Sequence, residues 1–174
     1  SSIDVPSISN VVSVDIKQPT HKKSKKPLTA KKLFTIVAPR CVSIKTSKTS
    51  GSGVCISDEG HILTCAHVIP SVSALIKVSA YKVKDGQAVL CKTVAAKVVF
   101  IDREKDIIIL KPTTKITSLK PLSFSKKKPE VGEKAYAIGS PSIGNAQLAQ
   151  TLSEGIISSG DRKIDKKSMI QYTT

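Results

Sequence analysis

An all-β fold is expected, and three observations carry that expectation. Short apolar runs, none longer than about eight residues, recur at a spacing of about ten residues from position 33 onward. Val, Ile and Thr dominate these runs, and Gly, Pro, Ser and Lys separate them. No stretch keeps the 3.6-residue periodicity of a long amphipathic helix. The runs, in order, are Val42–Ile44, Gly53–Ile56, Ile62–Ala66, Ala74–Val78, Val94–Ile101, Ile107–Leu110, Ala135–Ile138 and Gly155–Ile157. The segment from Leu33 to Pro39 fits one short helix or an entering strand. Asp58-Glu59-Gly60 lies between two runs and reads as a hairpin turn, with Gly60 free to take a positive φ. A second boundary falls between Lys111 and Lys120, where Pro112 and Pro121 bracket a Thr- and Lys-rich linker. No internal repeat at a fixed period is present.

Composition narrows the class. The 174 residues are 40% hydrophobic but only 3% aromatic, with no Trp, so a core must be built from Val, Ile, Leu and Ala. The formal charge of +15 speaks to polyanion contacts and solubility, not to fold. Residues 1–32 hold seven lysines against Asp4 and Asp15 and bury little apolar surface, so a disordered basic arm is expected there. Its lysines could contact a polyanion, but no aromatics are interleaved for base stacking, which favours a solvated tail. Val11 to Ile16 is the only part of the arm that alternates like a strand. No apolar run is long enough for a membrane span, and none near the N-terminus resembles a secretory signal.

The four cysteines, Cys41, Cys55, Cys65 and Cys91, form no Cys-x-x-Cys pair. Three lie inside apolar runs and read as buried free thiols, which leans towards an intracellular, reducing compartment without fixing it. No His/Asp/Glu group has metal-ligand spacing, so no metal is expected. No Gly-rich phosphate loop links a strand to a helix, so no nucleotide or other cofactor is expected.

Four segments carry chemistry, and their order is informative. The first, Gly51-Ser-Gly-Val-Cys-Ile-Ser-Asp-Glu-Gly-His-Ile-Leu-Thr-Cys-Ala-His67-Val, reads as hairpin, strand and then a histidine just past the strand end. Such a histidine is rigidly held yet exposed, as a general base must be. The second, Asp102-Arg-Glu-Lys-Asp106-Ile-Ile-Ile-Leu-Lys, places Asp106 at the mouth of a buried strand. A carboxylate there could orient an imidazole; the alternative is that Asp106 caps a turn and Asp102 faces His67. The third is Val131 to Pro141, with Ala-Ile-Gly-Ser-Pro at its end. The fourth is Thr151 to Gly160, with Gly-Ile-Ile-Ser. His21 in the arm reads as solvated. His61, just after the turn glycine, reads as an exposed strand position.

Together these segments resemble the trypsin-like serine proteases of the HtrA/Deg group, over about residues 33–174. The resemblance implies a chymotrypsin-like double β-barrel. The basic arm over 1–32 lies outside it, and within it the resemblance implies a complete first barrel over 33–115 and an incomplete second barrel over 119–174. It matches His67 to the general base and Asp106 to the orienting acid of a serine endopeptidase acting on protein or peptide substrates. The serine segment, Gly-Asn-Ser-Gly-Gly or a relative, is missing: no two of the nine glycines are adjacent. The nucleophile is therefore expected just beyond Thr174. The chain alone is expected to be inactive, with a C-terminal fragment of the same protein as a possible partner. Ser140 is a poor substitute because Pro141 removes an N–H that an oxyanion hole could use, and Ser52 because it belongs to the opening strand. A non-catalytic protease-like scaffold and a basic polyanion-binding module are the alternatives.

Overall fold

The computed structural model describes residues 14–20, 26–143, 146–164 and 167–173, without the side chains of residue 143 and of residues from 161 onward. The cluster Lys22, Lys23, Lys25 with His21, and the first half of the arm's alternating run (residues 11–13), lie outside the described residues. Residues 14–20 have no regular structure, and the Gln18 side-chain carbonyl accepts a hydrogen bond from Phe124 N.

The segment that fitted either a helix or a strand is a helix, α1 (Ala30–Val37). It starts where Thr29 Oγ1 accepts from Lys32 N at 3.2 Å, satisfying one orphan donor of the first turn. It ends at Ala38-Pro39, where Pro39 enters a short 3₁₀ turn.

Six antiparallel strands follow: β1 (Cys41–Lys45), β2 (Ser50–Cys55), β3 (Ile62–Thr64), β4 (Ile76–Lys84), β5 (Gln87–Asp102) and β6 (Ile107–Pro112). They close into a barrel in the order β1-β2-β3-β6-β5-β4, with β4 returning to pair β1. Closure leaves no open edge, so the interior can be filled entirely by branched aliphatic side chains. Val42, Ile44, Ile62, Ile69, Ile76, Val78, Ile108 and Leu110 are all sealed from solvent there. Gly53 is required in β2: a Cβ would meet Ile62 Cγ2 at 2.7 Å.

Gly60 takes φ 86°, as its turn demands. The β4–β5 hairpin is much longer than its apolar runs indicate. Its two-residue turn is Asp85-Gly86, both at positive φ, which suits the right-handed twist of the flanking strands. The expected linker at 111–120 is only partly a linker. β6 runs to Pro112, and Ile116 and Leu119 tuck into the barrel core as a plug.

The second unit is smaller. β7 (Lys134–Gly139), β10 (Thr151–Ile164) and β11 (Lys167–Thr173) form an antiparallel sheet in the order β7-β10-β11, and β8 (Ser142–Ile143) pairs β9 (Ala146–Gln147). It does not close among the described residues, so the molecule is one complete barrel joined to an incomplete second sheet. The junction is polar. Ser52 Oγ accepts from Ser140 N at 2.7 Å, Gln147 Nε2 donates to Gly51 O at 2.9 Å, and Ser50 and Ser142 hydroxyls meet at 2.6 Å.

Candidate active site

The β3–β6 pairing builds the site. Leu63 faces Ile109 and Thr64 faces Ile108. Continuing that antiparallel register two steps beyond β3 puts Ala66 opposite Asp106. The chain there leaves the sheet in a 3₁₀ turn, Ala66–Val68, which carries His67 back over Asp106. The turn is anchored on its far side. Val68 is buried against Gly51, where any Cβ would lie 2.7 Å from Val68 Cγ2, and Thr49 Oγ1 donates to the Val68 carbonyl. Ile69 is sealed in the core. His67 therefore stands on a fixed base with its ring outside.

Asp106 meets this turn with three groups. Its carbonyl accepts from Ala66 N at 3.2 Å, its Oδ1 accepts from His67 N at 2.8 Å, and its Oδ2 lies 2.7 Å from His67 Nδ1. Presenting carbonyl and carboxylate to the same turn requires a bent backbone, and Asp106 adopts φ 57°. Asp is among the few non-glycine residues that tolerate this left-handed region. The hydrogen bond from the His67 ring, then that from its backbone N–H, holds the Asp106 carboxyl below its ordinary pKa.

Asp102 does not face His67. Its Oδ1 caps the 102–106 turn by accepting from Lys105 N at 3.0 Å. Ile108 and Leu110, just inside β6, are sealed in the core. Although Asp106 stands at the mouth of a buried strand, it is not itself largely buried. Its side chain is 42% exposed and that of His67 is 72% exposed. The reason is its place in a turn whose other residues, Arg103 to Lys105, are exposed. It is held by N–H donors and not by enclosing apolar side chains.

His61 is also corrected. It is buried, with Nδ1 2.6 Å from Ser57 Oγ and its backbone N–H donating to the same hydroxyl. The turn folds the ring back onto Ser57, and burial lowers its pKa. Ser140 is buried, with its N–H and carbonyl engaged at the junction. Of the cysteines, all are free, Cys41 and Cys55 are buried, and Cys65 and Cys91 are exposed. Burial pushes Cys41 up to about 11.

The exposure of Cys65 matters because of where it points. Partial burial, and then the negative charge of Asp106, raise its pKa. The sulfur of Cys65, a ring nitrogen of His67 and a carboxylate oxygen of Asp106 all lie within 4.8 Å of one another. Among the described residues this is the only group of three potential metal ligands. Spacing along the chain could not show it, because Asp106 arrives through strand pairing 41 residues after Cys65. The hint was available in Cys65's place one residue beyond β3, two residues before His67.

A closed antiparallel barrel with a histidine–aspartate pair at its rim defines a class. A family profile described as the trypsin-like peptidase domain matches residues 51–174, and the chain belongs to that family. It is of the HtrA/Deg type, as its relatives show. It is similar to protease Do-like 1, chloroplastic, of Arabidopsis thaliana, 34% identical over 122 residues, covering 70% of this chain and 25% of that protein. It is also similar to the putative protease Do-like 14 of the same plant, 34% identical over 126 residues, with 69% and 27% covered. The chain thus spans about a quarter of the length of these relatives. The crystal structure of Deg5 superposes with TM-score 0.64 at 29% identity, covering 81% of this chain and 70% of that one. The serine endoprotease from Yersinia pestis gives TM-score 0.61 at 31% identity, covering 78% and 46%.

Proposed function

We propose that this chain is the N-terminal portion of a serine endopeptidase domain that hydrolyses peptide bonds in protein substrates by acyl transfer. His67 acts as the general base and Asp106 as the acid that orients it. The observation that carries this reading is the doubly held Asp106: one carboxylate oxygen on the His67 ring, the other on its backbone N–H. With Nδ1–H committed to Asp106, the imidazole keeps Nε2 free to accept a proton from an attacking hydroxyl. It then returns that proton to the leaving amine, while the carboxylate stabilises the intervening imidazolium. The exposed ring leaves room for a nucleophile and substrate to approach.

The nucleophile belongs to a segment outside residues 1–174, since no Gly-x-Ser-Gly sequence occurs within them. On this reading residues 1–174 alone hydrolyse nothing, because the attacking oxygen and the oxyanion donors are both missing. The domain division follows the same logic: a basic arm over 1–32, a first barrel over 33–115 and part of a second over 119–174, completed by a C-terminal segment of the same protein.

The test uses residues 1–174 beside the protein extended to the end of its gene. A serine-directed fluorophosphonate should label the extended protein stoichiometrically and leave 1–174 unlabelled. In the extended protein, Asp106→Asn should lower kcat for an unfolded protein substrate by roughly 10⁴-fold, and His67→Ala by at least as much. Labelling of a serine within 1–174, or unchanged kcat in His67→Ala, overturns the assignment. A residue other than Ser at the expected position would make the protein a non-catalytic scaffold.

A further inference from the structure

We propose that Cys65, His67 and Asp106 form a binding site for a thiophilic divalent cation of the zinc class, and that the ion switches off the general base. The binding claim stands on geometry alone; the regulatory claim rests on the catalytic reading above.

The ligand set is the first argument. It offers one sulfur, one imidazole nitrogen and one carboxylate oxygen. Three mixed ligands with an open fourth position suit zinc-class ions with a bound water. Mg²⁺ and Ca²⁺ need six or more oxygens, which this set does not supply.

The distances are the second argument. Tetrahedral zinc, with bonds of about 2.0–2.3 Å, holds its ligand atoms about 3.3–3.6 Å apart. Here the three atoms span at most 4.8 Å, and the His67 Nδ1–Asp106 Oδ2 pair is at 2.7 Å. The cysteine must swing inward by up to about 1.5 Å and the histidine–aspartate pair must part by under about 1 Å. All three side chains can make that adjustment, since Cys65 and His67 are exposed and Asp106 is only half-buried. The backbones need not move. Ala66 N and His67 N already clamp Asp106 to the turn, and Val68 is packed on Gly51.

The chemistry follows. The ion takes the place of the proton between Nδ1 and Oδ2. The ring proton moves to Nε2 through solvent, and the Cys65 thiol releases its proton to water on becoming a thiolate. With Nε2 protonated, the ring has no lone pair left to accept a serine proton. One ion therefore removes both the base and its orienting acid.

The full chain is titrated with Co²⁺ as a spectroscopic probe and with Zn²⁺ by calorimetry. The expected result is a 1:1 complex with a thiolate-to-cobalt charge-transfer band. Cys65→Ser should abolish that band and weaken Zn²⁺ by about tenfold or more, while Cys91→Ser, at the other exposed thiol, leaves both unchanged. His67→Ala and Asp106→Asn should each weaken Zn²⁺ by a similar factor. Should Cys65→Ser not fold, iodoacetamide on the unmodified chain gives a second reading: saturating Zn²⁺ should slow Cys65 alkylation about tenfold or more and spare Cys91. A missing band, a band that follows Cys91, or alkylation of Cys65 unaffected by Zn²⁺ overturns the site. The two readings fail separately. Proteolysis by the extended protein without Zn²⁺ binding removes the metal site alone. Zn²⁺ binding without proteolysis removes the catalytic reading and, with it, the switch.

Discussion

The barrel of β1–β6 and the sheet of β7, β10 and β11 are built from similar strands but reach different ends. In the barrel, closure seals an aliphatic core in which Ile44, Ile62, Ile108 and Leu110 lose all exposure. In the sheet, Ile157 is the one buried apolar side chain among the described residues of 134–160, while its neighbour Ile156 is 51% exposed. Alternation along a strand assigns faces, but only a second layer or a closed ring buries a face. Among the described residues the sheet has two edges, β7 and β11, and its face is only partly covered. The histidine–aspartate pair belongs wholly to the barrel, so its geometry does not draw on the less complete half.

The sharpest way to break this comparison is to cut into each core. Ile44→Ala should destabilise by about 2–5 kcal/mol, since a sealed ring cannot collapse around the gap. Ile156→Ala should cost under about 1 kcal/mol. Denaturant unfolding checks both, and equal losses would show that the sheet is as tightly packed as the barrel. Hydrogen exchange sharpens the same contrast without substitution. Amides of β1 and β6 should exchange roughly 100-fold or more slower than those of β7 and β10. Gly53→Ala, which drives a methyl into Ile62, should cost about 1–3 kcal/mol, whereas Gly160→Ala faces only a loop carbonyl at 3.3 Å and should cost less.

The smallest effect is electrostatic. The folded-state pKa of Asp106 lies below its ordinary 3.8, so its bond to His67 contributes stability above that ordinary value. That contribution is lost as pH falls through the depressed folded-state value. A carbon-detected titration of the Asp106 carboxyl should therefore show a midpoint below 3.8 that moves up in His67→Ala. An unchanged midpoint would mean that the ring does not hold the carboxylate.

Much of this was readable from residues in order. The Val- and Ile-rich runs mark β1, β2, β3 and β6, and the Gly60 turn falls where its residues place it. The β4–β5 hairpin was longer than its runs, although Asp85-Gly86 is a strong two-residue turn signal. His61 was misplaced because a local hydrogen bond to Ser57, and not the alternation, decides where its ring goes. The residues alone left both Asp102 and Asp106 open, and only the family resemblance favoured Asp106. Both precede the same strand, and only the backbone bend at Asp106 turns its carboxylate to His67 while Asp102 caps the turn.

The sequence by itself determined the strand-forming runs, the punctuation between them and the presence of a histidine and an aspartate beside strands that pair. These are local properties, set by side-chain branching, turn chemistry and residue order. Tertiary structure decided that Asp106 stays half exposed, that Ile116 and Leu119 plug the barrel, and that Cys65 joins His67 and Asp106. Each of these depends on which distant backbone a side chain meets once the ring closes. Strand register, not sequence spacing, sets that meeting.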